Sequence, residues 1–249
     1  FFHEQVFAIQ GTTFVWMAVV GVFQFVLGRL LMYIAIDKAG LVRAGPLVST
    51  MPLFATFLAL IFLNETITVP LFLGMFTVTT GAIFIVRGTN PRTGNSSIKP
   101  GQQFPVFGTL AALCAAISFA ASNVVVRMVV TTEANSIVTL AFASMFGLVM
   151  LTVLYQNSLR NEHWTWNSGL VWSAIAGIFA FGALGTLFSA LHYSPVLVVV
   201  PLSNVYPLPN LVIAHLFFKR LERITIPIIG GTALVIAGVT VITIATAVA

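Results

Sequence analysis

Eight uninterrupted apolar blocks, each 20 or more residues long, constrain this chain more than any other feature. They run over 12–36, 41–63, 67–86, 105–126, 136–155, 169–191, 196–218 and 224–246. A run of about 20 apolar residues is what an α-helix needs to cross a hydrocarbon layer roughly 30 Å thick. Charged residues make up 7% of the 249, against 59% hydrophobic. Soluble domains carry roughly 25% charge, and a chain with so little could not cover a water-facing surface. The blocks therefore predict an all-α membrane protein of about eight transmembrane helices, with the lipid bilayer as its solvent.

What lies between the blocks organises them. The stretch from Arg87 to Gln103 (RGTNPRTGNSSIKPGQQ) is rich in Gly, Pro, Asn and Ser, and it neither continues a helix nor suits burial. It divides the chain into residues 1–86 with three helices, a linker over 87–104, and residues 105–249 with five. Other connections are short, as at Asn64–Glu65–Thr66, so consecutive helices are expected to be antiparallel neighbours. Trp16, Trp164 and Trp166 fall near block ends and suit interfacial anchors. The net charge of +5 forms no stripe, so no nucleic-acid partner is expected. Cys114 is the single cysteine and sits inside a block, so it implies no intrachain disulfide. The chain opens on Phe1 without a basic n-region, which fits a fragment or processed form rather than an intact signal peptide.

Glycines seven residues apart recur as Gly21 and Gly28, Gly74 and Gly81, and Gly231 and Gly238. Seven residues is nearly two turns, so each pair is expected to share a face where backbones approach closely in lipid. The last two pairs belong to a larger internal repeat. Setting Ile34–Phe62 against Ser189–Phe217 brings Pro46 onto Pro201, Pro52 onto Pro207, Ala59 onto Ala214 and Phe62 onto Phe217. A two-residue insertion then aligns Glu65 with Glu222, Pro70 with Pro227, Gly74 with Gly231 and Gly81 with Gly238. Two prolines, a glutamate and two glycines in step are costly coincidences even in an apolar chain. If the copies were once equal, two helices of the first would precede Gly11. An odd number of helices per copy inverts successive copies across the membrane, the plan of many secondary transporters.

The stretches RAGPLVSTMPLFATFLALIFLNETIT and VVPLSNVYPLPNLVIAHLFFKRLERIT, each followed by a glycine-bearing helix, resemble the end of an EamA-type repeat. GTLAALCAAISFAASNVVVR resembles the opening helix of the second repeat. The resemblance covers nearly the whole chain and places it with the drug/metabolite transporter superfamily. It implies two inverted EamA-like repeats, present here as three plus five helices. It also implies helices three to ten of a usual ten, and export of a small organic metabolite such as an amino acid. A non-transporting assembly protein and a translocator of lipids or hydrophobic drugs are the rival functions.

Candidate site residues come from breaks and buried polarity. Pro46 and Pro52 in one copy, and Pro201, Pro207 and Pro209 in the other, remove backbone hydrogen bonds inside helices. In lipid the freed carbonyls need a partner or a wet cavity, so matched prolines point to a central substrate site. Ser49, Thr50, Ser203, Asn204, Tyr206 and Asn210 neighbour them and would line it, although such side chains also bridge helices without touching substrate. In the first block Gln24 lies at the middle, with Arg29 and Tyr33 four apart. Arg29 either faces a cavity, where it would favour a carboxylate or phosphate, or snorkels to the interface roughly 7.5 Å away. Asn123 completes the candidate cavity, and Arg127, four residues on, is expected at the interface.

Other polar residues read structurally. His192 and His215 are expected to bond neighbouring helices rather than relay protons. Glu65 and Glu222 follow helix ends and are expected to favour a helix N-terminus. Every acidic residue lies outside or at the edge of a block, so no membrane-embedded carboxylate for cation export is visible. No metalloprotease, nucleophile-elbow or paired-aspartate motif is present, so neither enzymatic activity nor a cofactor nor a metal is expected. Alternation along the chain puts Lys38, Arg43, Arg87, Arg92, Lys99, Arg160, Lys219, Arg220 and Arg223 on one side and only Arg127 on the other. That bias makes the first side cytoplasmic in the cell (inner) membrane. The resemblance implies the reverse, because ten-helix members are expected to keep both ends in the cytoplasm.

Overall fold

The computed structural model describes residues 11–39, 41–88, 106–132, 134–157, 168–205 and 226–248. Among them the chain forms nine helices and no strand. They are α1 (Gly11–Ala39), α2 (Leu41–Val48), α3 (Met51–Phe62), α4 (Val69–Gly88), α5 (Val106–Thr132), α6 (Ser136–Leu154), α7 (Ser168–Tyr193), α8 (Val196–Ser203) and α9 (Ile226–Val248). Six stretches are long and apolar enough to span a membrane, and Val69–Ile85 is a shorter apolar helix. The block at 196–218 is described only as far as residue 205. Many large apolar side chains point outward, among them Phe57, Phe72, Leu148, Trp172 and Phe179, as lipid as solvent requires.

The bundle is organised about a crossing of α4 and α9. Gly74 lies against the carbonyl of Gly238, and Gly81 against the carbonyl of Gly231. The two helices therefore run antiparallel. In the repeat Gly74 corresponds to Gly231 and Gly81 to Gly238, so each glycine meets the counterpart of its partner. That exchange of equivalents is the mark of a two-fold axis, and antiparallel helices place the axis in the membrane plane. Helix boundaries follow the same correspondence. α2 starts at Leu41 and α8 at Val196, both 155 apart like Pro46 and Pro201, while α4 and α9 start at Val69 and Ile226. The two repeats are thus inverted.

α5 is the most enclosed helix of the bundle, buried along Ala111, Ala112, Ala115, Ala116, Ala120 and Val124. It packs against α1, α2, α3 and α7. Its small side chains let neighbours approach closely, which is how helices associate where apolar lipid removes the hydrophobic drive. α7 is the least enclosed span: residues from Val171 to Phe179 are exposed on every side, and only the half from Leu184 onward packs.

Two expectations from spacing change. Gly21 and Gly28 do not face one neighbour, because Val22–Leu27 winds as a π-helix and the amide of Gly28 bonds the carbonyl of Phe23. The wider turn rotates the register, so Gly21 meets α6 at Ala143 and Gly28 meets the ring of Phe119 on α5. The block 41–63 is also not one continuous helix. It divides into α2 and α3 at a turn over Ser49 and Thr50.

Candidate functional site

Missing backbone donors produce that turn. Pro52 has no N–H to offer the carbonyl of Val48, so the next bonds tighten. Thr50 donates its amide to Leu47 at 3.1 Å, and Leu53 donates to Thr50 at 3.0 Å. The carbonyl of Ser49 is left pointing off the helix. In the other repeat α8 ends in the same way, with Val205 donating its amide to Leu202 at 3.2 Å.

The two breaks meet. The side-chain amide of Asn204 donates to the carbonyl of Ser49 at 2.9 Å, with both residues buried. A side chain at the end of α8 thereby satisfies the backbone acceptor exposed by the break between α2 and α3. Asn204→Leu is expected to leave that carbonyl buried and unpaired, a cost of about 1–3 kcal/mol. A thermal melt of the purified protein checks this, and an unchanged midpoint would show that the bond carries no weight.

Other polar groups gather in this interior. Asn123 on α5 is 2% exposed, and its amide nitrogen lies 3.8 Å from the Met51 sulfur. Asn123 Oδ1, Ser122 Oγ, Ser49 Oγ and Gln24 Oε1 are buried with no hydrogen-bond partner among the described residues. Gln24 sits in the π-helical turn, a local distortion often found at functional sites.

A cavity of about 700 Å³ opens beside the paired breaks. Its described walls come from Met51, from Ala183 to Ala190 of α7, and from Ser194 to Asn204 around α8. Polar atoms are few: Thr186, Ser194, Ser203 and Asn204. A second cavity of about 590 Å³ lies towards one membrane face, between the loop Leu63–Thr68 and the start of α8. The two share Ser194 and Val198 in their walls.

An ionic clamp closes that face. Glu65 accepts from the amides of Val196 at 3.0 Å and Leu197 at 3.2 Å, so it caps α8 of the other repeat. A carboxylate there meets both the unpaired amides and the positive end of the helix dipole. Arg127 lies 4.0 Å from Glu65 and donates to the carbonyls of Leu191 and His192 at the end of α7. The His192 ring nitrogen Nδ1 is 2.6 Å from the carbonyl of Val130 on α5. One cation thus caps the C-terminus of α7 and one anion the N-terminus of α8, on either side of the Ser194–Pro195 turn.

The sequence candidates distribute as follows. Asn123, Ser49, Ser203 and Asn204 lie at or next to the paired breaks. The Thr50 hydroxyl donates to Leu47 at 2.6 Å, and that of Ser203 to Val200 at 2.8 Å. Pro46 and Pro201 do not break their helices but are buried inside α2 and α8, which run on past them, whereas Pro52 is buried at the start of α3, at the break. Gln24 is buried on α1 and lines neither cavity, Arg29 is half-buried and likewise lines neither, and Tyr33 is 56% exposed. Tyr206, Asn210, Pro207 and Pro209 lie outside the described residues, as do Glu222 and His215. Glu65 favours a helix N-terminus as expected, but that of α8 rather than of the helix following it. Arg127 sits near an interface but is only 20% exposed, held by its three partners. The sequence signal for this clamp was the register of the repeat, which places a glutamate beside a helix end in each copy.

Comparison with known proteins agrees with this architecture. A family model described as the EamA-like transporter family matches residues 1–87 and 106–244. A solved structure described only as "Crystal structure of protein" superposes with a TM-score of 0.69 at 19% identity, covering 93% of this chain and 75% of that one. That likeness is one of fold. No curated protein matches the sequence significantly.

Proposed function

The chain belongs to the EamA-like transporter family, and on that premise we propose that it is a secondary transporter carrying a small organic metabolite by alternating access between its inverted repeats. Residues up to 86 form the first repeat and those from 105 the second, joined by the 87–104 linker. The observation that carries the reading is the meeting of the proline-associated break after α2 with the end of α8, at Ser49 and Asn204, beside a cavity. Broken helices at a repeat interface are where secondary transporters bind solute, because only there do unpaired backbone groups meet water or ligand at membrane depth. Asn123, Ser49, Ser203 and Asn204 belong to the binding region. The direction we propose is export, resting on the resemblance to the drug/metabolite transporter superfamily. Enzymatic activity forms no part of this reading.

Counterflow in proteoliposomes, with a panel of metabolites, tests the proposal. Uptake of a labelled solute into vesicles loaded with the same unlabelled solute is the expected result. Absence of counterflow for every solute, from protein that is folded and correctly inserted, would favour a structural or assembly role.

Orientation is separately testable. Alternation puts Lys38 and Arg87 on one face, and Glu65 and Arg127 on the other. Ala39 lies directly against Gly108 at the start of α5, which keeps those two ends together. Arg127 bonds helix carbonyls, and alternation along the sequence puts the other basic residues, Arg29 apart, on the first side. We propose that this side is cytoplasmic in the cell (inner) membrane. In a Cys114→Ser background, Thr66→Cys should react with an impermeant maleimide added to intact cells, and Lys38→Cys should not. The opposite pattern would reverse the assignment.

A further inference from the structure

We infer that the 700 Å³ cavity takes an uncharged, largely apolar solute with hydrogen-bond donors, and discriminates against carboxylate, ammonium and zwitterionic molecules. The inference rests on the transport reading and narrows its substrate class. It starts from what the described walls lack: no Asp, Glu, Lys, Arg or His among them. The two charged residues of the clamp at the start of α8 are engaged there. Both carboxylate oxygens of Glu65 bond the amides of α8, and Arg127 bonds the end of α7. Each is held at a helix end, and neither is among the described walls of the larger cavity. Arg29 on α1 lines neither cavity.

An ion entering between these described walls, apolar and uncharged, loses hydration and gains no counter-charge from them, so it is disfavoured whatever its sign. A neutral amphipathic molecule loses far less, and its apolar body finds Met51, Leu184, Leu187, Val199 and Leu202. The polar wall atoms refine the class. The Thr186 hydroxyl donates to Ala183 at 2.8 Å, the Ser203 hydroxyl to Val200 at 2.8 Å, and the Asn204 amide to Ser49 at 2.9 Å. Those protons are taken, which leaves acceptor lone pairs on Thr186 and Ser203, while Asn204 keeps its Oδ1 acceptor and the second N–H of its amide. A solute that donates, through an amide or hydroxyl, matches the three acceptors. Ser194 can serve either way.

A matched probe series tests this with the full chain in proteoliposomes. N-acetylphenylalaninamide is neutral with amide donors, and its N,N-dimethyl amide removes the terminal pair. N-acetylphenylalanine is an anion, phenylalaninamide a cation at pH 6, and phenylalanine a zwitterion. Protein-dependent flux of the neutral donor is expected to exceed that of each charged relative at least tenfold and to fall in the dimethyl form. Ala190→Phe, which fills the cavity, should abolish it. Thr186→Val, at an exposed position that the fold does not need, should reduce it.

Equal or faster flux of a charged relative overturns the inference and leaves the transporter intact. So does counterflow of some charged metabolite alongside no flux of any probe. Stabilisation of the detergent-solubilised protein by the neutral probe alone, lost in Ala190→Phe, with no flux of any solute, upholds the site's chemistry and sinks the transport reading instead. Flux of the neutral probe that survives Ala190→Phe unchanged places its path elsewhere and overturns the inference.

Discussion

Glu65→Ala is expected to lower the thermal midpoint of the purified protein by about 6–12 °C, corresponding to about 3 kcal/mol in a chain of this size. The carboxylate makes two charge-assisted hydrogen bonds to the first amides of α8, and its side chain is only 12% exposed. Alanine leaves both amides without their acceptor. It also leaves Arg127 facing the positive end of a helix dipole with no anion between. Glu65→Gln retains one acceptor oxygen and should lose about half as much. Because Arg127 and Glu65 act on one turn, Arg127→Ala combined with Glu65→Ala should cost less than the sum of the two. Transport should fall in both single variants, since the displaced turn carries Ser194, a wall of both cavities. A midpoint within 1 °C of the parent for Glu65→Ala would show that α8 does not depend on this cap.

The second large effect lies at the α4–α9 crossing. A Cβ at Gly81 would stand 2.7 Å from the carbonyl oxygen of Gly231 and 2.8 Å from the amide nitrogen of Val235. These are backbone atoms and cannot rotate aside, so the helices must separate along their whole contact. Gly81→Ala is expected to cost about 1–3 kcal/mol by overpacking, and Gly81→Leu to prevent accumulation of folded protein. The contrast is supplied one residue from the crossing. A Cβ at Gly230 or at Gly177 meets nothing within 4 Å. Gly230→Ala and Gly177→Ala should therefore be neutral or stabilising by up to about 1 kcal/mol, through helix propensity alone. Melting curves of the three alanine variants decide it. Equal behaviour of Gly81→Ala and Gly230→Ala would mean that the close approach does not hold the repeats together.

These two sites were differently legible in the sequence. The glycines at 74, 81, 231 and 238 were visible as a spaced pattern and as part of the repeat. Their pairing across the two-fold was implicit in that repeat, since equivalent faces of inverted copies can meet each other. Glu65 was visible as a helix-end carboxylate, but nothing in its local spacing said which helix. The nearest start in sequence is that of α4, and the helix it caps lies more than 130 residues away. Arg127 shows the same limit. Its position near a block end predicted an interface, whereas its partners are carbonyls on a helix that alternation could not identify as a neighbour. The π-helical turn at Val22–Leu27 left no mark in the apolar pattern, because Gln24 is its one polar residue and a single polar position sets no phase to disturb.

By itself the sequence determined the solvent, the approximate number of spans and the inverted repeat. Each of these follows from local properties: apolar length, odd helix count, and a repeated pattern of prolines and glycines. Tertiary structure alone decided which helices touch, that Asn204 supplies the donor for Ser49, and that Glu65 and Arg127 clamp the turn between α7 and α8. Lipid is as apolar as leucine, so side-chain hydrophobicity cannot choose among neighbours within the membrane. That choice falls to close packing and to the few polar groups whose partners lie far along the chain. The opening feature, eight apolar blocks, thus gives a bundle but not its arrangement, and the arrangement is what assembles the cavity.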